Sequence, residues 1–195
     1  MVAAMDPALL EPGRFRGLRR DEYERLAELG AFDHEKVELL RGVVVSVSPQ
    51  GPPHAWLVAR INEVLVLALR GGHTVRPQLP MAAADDSMPE PDLAVVAPAP
   101  RGSPHPGPDA VALVVEVSAS SLAIDRRVKA EIYAAGGVPE YWVVDVEARV
   151  VHRHTEPSGA RPGRFHRVEV LGPGQVIAPV GLPGHTFAVA DLLGD

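Results

Sequence analysis

The chain has 195 residues, enough for one domain with a substantial core and too few for two comfortable ones. Lys and Arg total 19 against 25 Asp and Glu, a net charge of −6, which is not the balance of a passive DNA binder, although a local basic patch can act within an acidic whole. Cysteine is absent, which excludes disulfides, zinc–thiolate sites and thiol nucleophiles.

Residues 1–20 read as an N-terminal arm, and residues 21–195 as a single domain. The arm lacks the basic-then-apolar order of a secretory signal, and no apolar run approaches the ~20 residues that cross a bilayer. The expectation is a soluble cytoplasmic protein. Asp21 to Leu29 predicts a short helix stopped by Gly30. Residues 36–47 predict a β-hairpin turning at Arg41-Gly42, with a helix ending at Gly42 as the rival. Ser48 to Pro53 read as a turn. His54 to Arg70 carry Trp56, Val58, Ile61, Leu65 and Leu69 at near-helical spacing, and Gly71-Gly72 end that helix.

Thr74 to Leu79 and Leu93 to Val96 read as strands, and the Pro-rich stretch 98–108 as a loop. Val111 to Ser118 is almost wholly aliphatic and β-branched, the pattern of a strand buried on both faces. Ser118 to Ser121 form a turn into a helix from about Asp125 to Ala135, ended by Gly136-Gly137. Tyr141 to Val146 and Val150 to His154 read as a hairpin, residues 165–171 as a strand, and Phe187 to Leu193 as a closing helix or turn. The order implies an α/β sandwich in which the unit 111–146 is a parallel crossover.

Glu116 is the anomaly in this pattern. It sits inside the buried strand, where one unpaired charge costs several kcal/mol, comparable with a small domain's whole stability. Candidates for compensation are Asp92 after Pro91, Asp125 and Lys129. Lys129 lies four residues after Asp125 and four before Tyr133, which puts the three on one helix face, opposite Val128 and Ile132. Proline is tolerated at the first position of a strand, so Asp92 stands at the mouth of its strand. Two carboxylates converging there suit Mg²⁺, a hard cation that takes one or two carboxylates and keeps several waters. Lys129 would then orient or activate a water, or steady charge on a phosphate.

Several segments together resemble a known family. They are Glu38-Leu39-Leu40-Arg41-Gly42, Ser48-Pro49 with His54, Pro91-Asp92-Leu93-Ala94-Val95-Val96, Glu116-Val117-Ser118, Asp125 with Lys129, and Tyr133 to Asp145. In this order and spacing they resemble the Uma-type family of restriction-endonuclease-like proteins, within the PD-(D/E)XK nuclease superfamily, from about residue 20 to 193. The resemblance implies a restriction-endonuclease-like core, a mixed central sheet flanked by helices, with additional hairpins. It implies a site using Mg²⁺ or Mn²⁺, with Asp92 and Glu116 as the paired acids and Glu38 as an auxiliary metal ligand. Ser118 stands where the superfamily pattern places a lysine, and Lys129 on the following helix takes that role.

Each candidate has a plainer reading. Glu116 with Lys129 makes a structural ion pair, Asp92 a turn residue, Asp125 with Lys129 a surface pair, Glu38 a hairpin surface residue, and His54 a packing residue at a helix start. Tyr141 and Trp142 read as core or a subunit contact. His152 and His154 face the same way on a strand, where a solvated face is favoured over a metal clip. Arg126 and Arg127 read as exposed charges able to touch a DNA backbone.

The function expected is a Mg²⁺-dependent endonuclease acting on DNA, with His54, Ser118 and Asp125 as auxiliary site residues. Its rival is a non-catalytic DNA- or protein-binding module that keeps the fold. A phosphoesterase with a small substrate is the third reading. A homodimer suits the cutting of both strands. Nothing in the sequence encodes a base-reading element.

Overall fold

The computed structural model describes residues 16–47, 49–119 and 122–194. Residues 1–15 of the expected arm, Ser48, and Ser120 and Ser121 of the expected turn lie outside the described residues.

Helix α1 (Arg20–Glu28) leads into strands β1 (Val37–Leu40) and β2 (Val43–Ser46), which pair antiparallel. The two residues between them have φ of 52° at Arg41 and 79° at Gly42. Positive φ at both positions is the primed turn whose twist matches a hairpin, so the hairpin reading holds over its helical rival. A Cβ at position 42 would also meet the Gly17 Cα at 2.9 Å, a second reason for glycine there. Helix α2 (Pro52–Ala68) begins two residues earlier than expected, because two prolines occupy its first turn, where a missing N–H costs nothing.

Strands β3 (Thr74–Pro77), β4 (Leu93–Val96) and β5 (Val111–Ser118) follow. Only Ala112 of β5 escapes burial, as its apolar run predicts. Helix α3 (Leu122–Ile124) passes through a π-helical turn (Asp125–Lys129) into helix α4 (Ala130–Gly136), and Gly137 closes it at φ 82°. Strands β6 (Glu140–Asp145), β7 (Val150–Pro157), β8 (Phe165–Leu171), β9 (Val176–Ile177) and β10 (Phe187–Ala188) lead to helix α5 (Val189–Leu193). The tail is therefore a short strand paired with β9, followed by a single helical turn. Two residues are too few for β9 to show in a hydrophobic pattern.

The main sheet has six strands in the order β3-β4-β5-β6-β7-β8. All neighbours are antiparallel except β5 and β6, the parallel pair expected of the crossover. Strand alternation divides the core. On one face Leu93, Val95, Leu113, Val115 and Val117 pack under Leu57, Ile61 and Leu65 of α2 and Leu192 of α5. On the other, Ala94, Val114, Tyr141 and Val143 pack under Ala130, Ile132, Tyr133 and Ala134 of α4. Tyr23, Val37, Leu39 and Met88 close a third cluster beneath α1 and the hairpin.

Two expectations are corrected here. Ile132 and Tyr133 sink into the same core instead of facing apart, because α4 buries a wide face with four residues nearly or fully inaccessible. His152 and His154 are not on a solvated face: both are buried, and the His154 ring packs 5.5 Å from Tyr141 and 5.6 Å from Phe165. Burial, with His152 and Arg126 nearby, pushes the His154 pKa down to about 4. Among the described residues no helix is long and apolar enough to cross a membrane.

Candidate active site

Glu116 is 4% exposed and reaches three donors. Its Oε1 accepts from Lys129 Nζ at 2.9 Å and from the Tyr133 hydroxyl at 3.1 Å, and its Oε2 accepts from the Asp92 backbone N–H at 3.3 Å. Burial drives its pKa well above the usual carboxylate range. The Lys129 charge pulls against this, while Asp125, Asp92 and Glu38 add to it.

Asp92 follows Pro91 at the mouth of β4 and is the best-served acid of the group. Its Oδ2 accepts from the Val117 N–H at 2.9 Å and contacts His54 Nε2 at 3.1 Å. Its Oδ1 accepts from Gln50 at 3.2 Å and Gln78 at 3.4 Å. Burial would raise the Asp92 pKa, but the bonds from His54, Val117 and Gln78 outweigh it and hold the pKa below the ordinary value. Gln78 holds φ at 50°, and its own N–H donates to the Asp92 carbonyl at 3.1 Å. A left-handed, non-glycine residue costs about 1–2 kcal/mol, and here it lets Gln78 reach Asp92, fourteen residues further on, with its side-chain amide.

Lys129 is 7% exposed. Its ammonium sits 2.9 Å from Glu116, 3.1 Å from Glu38 Oε1 and 4.0 Å from Asp125 Oδ1. Burial alone would favour the neutral amine; the three carboxylates overcome it, so the pKa is raised and Lys129 stays charged. Glu38 comes from β1, 91 residues away, and its Oε1 also accepts the Glu90 N–H at 2.9 Å. Asp125 accepts from Ser118 Oγ at 2.9 Å, so Ser118 lies under the site as a support. The π turn adds a residue per turn between Asp125 and Lys129, and such turns often accompany functional sites.

Glu38, His54, Asp92, Glu116, Asp125 and Lys129 all line one cleft of about 240 Å³. The structure thus brings together every predicted site residue except the two arginines and Ser118. Arg126 and Arg127 are exposed, and Arg126 lines a separate hollow with His154 and Arg164. The plain readings of Glu38 as a surface residue and of Asp125–Lys129 as a surface pair do not survive, because all three are buried.

Five carboxylates (Glu38, Glu90, Asp92, Glu116 and Asp125) against two ammonium groups (Lys36 and Lys129) leave an excess of negative charge in the cleft. That donor set fits a divalent cation. Among the described residues no three His, Asp or Glu side chains are grouped to enclose a metal ion alone. A cation in this cleft would have one or two carboxylates as ligands, Asp92 and Glu116 being the candidates, and would need water and substrate oxygens to complete its shell.

Sequence reasoning gave no role to Tyr133, Gln50 or Gln78. Tyr133 carried a signal, its i+4 position after Lys129. Gln50 and Gln78 carried none, since each reaches Asp92 from a separate loop.

A six-stranded mixed sheet flanked by helices, with paired acids at the mouth of its central strands, defines a nuclease-like fold. The chain belongs to the Uma2 family, described as "Putative restriction endonuclease", whose model matches residues 20–190. Its structure is similar to the "putative nuclease belonging to DUF820" from Anabaena variabilis ATCC 29413. That match has a TM-score of 0.69 and 16% identity and covers 91% of this chain and 98% of that one, a likeness of fold. No curated protein matches the chain.

Proposed function

We propose that this protein is a Mg²⁺-dependent endonuclease that hydrolyses phosphodiester bonds in DNA. The observation that carries the reading is the placement of Lys129 Nζ between Glu116 and Glu38 in the cleft that also holds Asp92. Asp92 and Glu116 would bind the cation, and Glu38 is placed to contribute if a second ion or a positioned water takes part. Bound there, the cation would polarise the scissile phosphate and lower the pKa of an attacking water.

The residues of the chain then divide the remaining work. Lys129 is held in its charged form, so it stabilises negative charge developing on the phosphate and does not accept a proton. Asp125 and Glu38 hold the ammonium in place from two sides. His54, Gln50 and Gln78 fix the Asp92 carboxylate. A homodimer would match two such sites to the two strands of a duplex.

The test is nicking of plasmid DNA by the purified protein with Mg²⁺ or Mn²⁺. The expected result is metal-dependent nicking that Asp92→Asn removes. Equal inertness of the wild type and Asp92→Asn across metals and substrates would sink the reading.

One observation favours a second reading, a binding module without catalysis. The oxygens of Asp92 and Glu116 already accept hydrogen bonds from the protein itself. Metal titration separates the two: a nuclease site gains thermal stability from divalent ions by mass action, and a module of this kind does not.

A further inference from the structure

Tyr133 lies in the segment Tyr133 to Gly137, and the mechanism above leaves it unused. Its side chain is fully buried, its ring packs 5.0 Å from that of Tyr141, and its hydroxyl reaches Glu116 Oε1 at 3.1 Å. A filler of an apolar core would be phenylalanine; a buried hydroxyl is retained where it has a partner.

The partner is one oxygen and not the other. Lys129 Nζ also takes Oε1, at 2.9 Å. Oε1 therefore accepts from two side-chain donors. Oε2 receives only the longer 3.3 Å bond from the Asp92 backbone N–H, which sets it on the Asp92 side of the carboxylate. Lys129 and Tyr133 are four residues apart, so one helical face supplies both donors.

We propose that Tyr133 is a positioning residue for Glu116: with Lys129 it occupies Oε1, so that Oε2 is the oxygen presented to a divalent cation beside Asp92. The inference rests on the metal-dependent reading above. Without the hydroxyl, Lys129 alone holds Oε1 and only the long bond from the Asp92 N–H holds Oε2, so the carboxylate is freer to rotate and offer either oxygen.

Tyr141 provides the matched control. It is equally buried in the same core, and its hydroxyl donates to the Asp125 backbone carbonyl at 3.1 Å and not to the Glu116 carboxylate. The experiment is a thermal-shift titration with Mn²⁺ and with Mg²⁺ of the wild type, Tyr133→Phe and Tyr141→Phe, in the absence of DNA. Both variants lose one buried hydrogen bond, so both melt earlier. The expected result is a half-saturating metal concentration about tenfold higher for Tyr133→Phe, in line with losing a support to a ligand, and unchanged for Tyr141→Phe. Equal half-points for the wild type and Tyr133→Phe overturn this inference and leave the metal site standing. An equal rise in both variants also overturns it, since general loosening of the core would then explain the effect. A wild type with no response to either metal overturns the metal-dependent reading and this inference with it.

Discussion

Lys129 Nζ lies 2.9 Å from Glu116 Oε1 and 3.1 Å from Glu38 Oε1, so one ammonium ties β5 to the β1–β2 hairpin through the π turn. Buried ion pairs of this kind contribute little net stability against hydrophobic residues of the same volume, but removing the ammonium that three buried carboxylates share would be severe. Its upkeep in a core-facing cleft makes sense if the charges serve the site. The nearby excess of carboxylates makes the same point, because the cluster is not balanced for stability.

Glu116→Gln should separate stability from metal binding. The substitution removes a carboxylate whose charge is disfavoured by burial and by three neighbouring acids. Lys129 retains Glu38 and Asp125, so unfolding in urea without divalent ions should change by no more than about 1 kcal/mol. The thermal shift produced by Mg²⁺ or Mn²⁺ should vanish. Loss of several kcal/mol without metal would show that Glu116 is mainly a structural partner.

Glu140→Gln should do the reverse. Glu140 is fully buried and accepts from Arg153 Nε at 2.8 Å, Trp142 Nε1 at 2.6 Å and the Val180 N–H at 2.7 Å. It does not line the cleft. Arg153 would keep Glu169 at 3.3 Å but lose its buried charge partner, which should cost about 2–3 kcal/mol in a urea titration. The response to divalent ions should be unaltered; a lost response would link this pair to the site.

His154 should make stability depend on pH. Its pKa in the folded protein is pushed down to about 4 from an ordinary 6.5, chiefly by burial. Between these values the unfolded chain binds the proton and the folded chain does not. The stability contribution is therefore complete above pH 6.5 and is lost as pH falls towards 4, by on the order of 3 kcal/mol. His152 is shifted the same way, again mainly by burial, and adds to the loss. Urea midpoints of the wild type should fall over this range, and those of His154→Phe should fall less. Parallel curves for the two proteins would refute the assignment.

Much of the frame was legible along the chain because it is written in short windows. The β-branched run 111–118 marks a doubly buried strand, Arg41-Gly42 a primed turn, Gly137 a helix stop, and Asp125, Lys129 and Tyr133 a shared helical face. The charge of Glu116 inside such a strand pointed to a site by cost alone. These signals need only backbone preference and periodicity, which neighbouring residues settle among themselves. What the tertiary structure alone decided is who meets whom at a distance. Burial turned His152, His154 and Glu38 inward, against their polar chemistry, because strands β6 and β8 flank the histidines and β1 closes over Lys129. Gln50 and Gln78 reach Asp92 from two loops, and Tyr133 chooses one oxygen of Glu116 over the other. Such choices depend on long-range packing and on the competition of several donors for one acceptor, and no local pattern of residues encodes them.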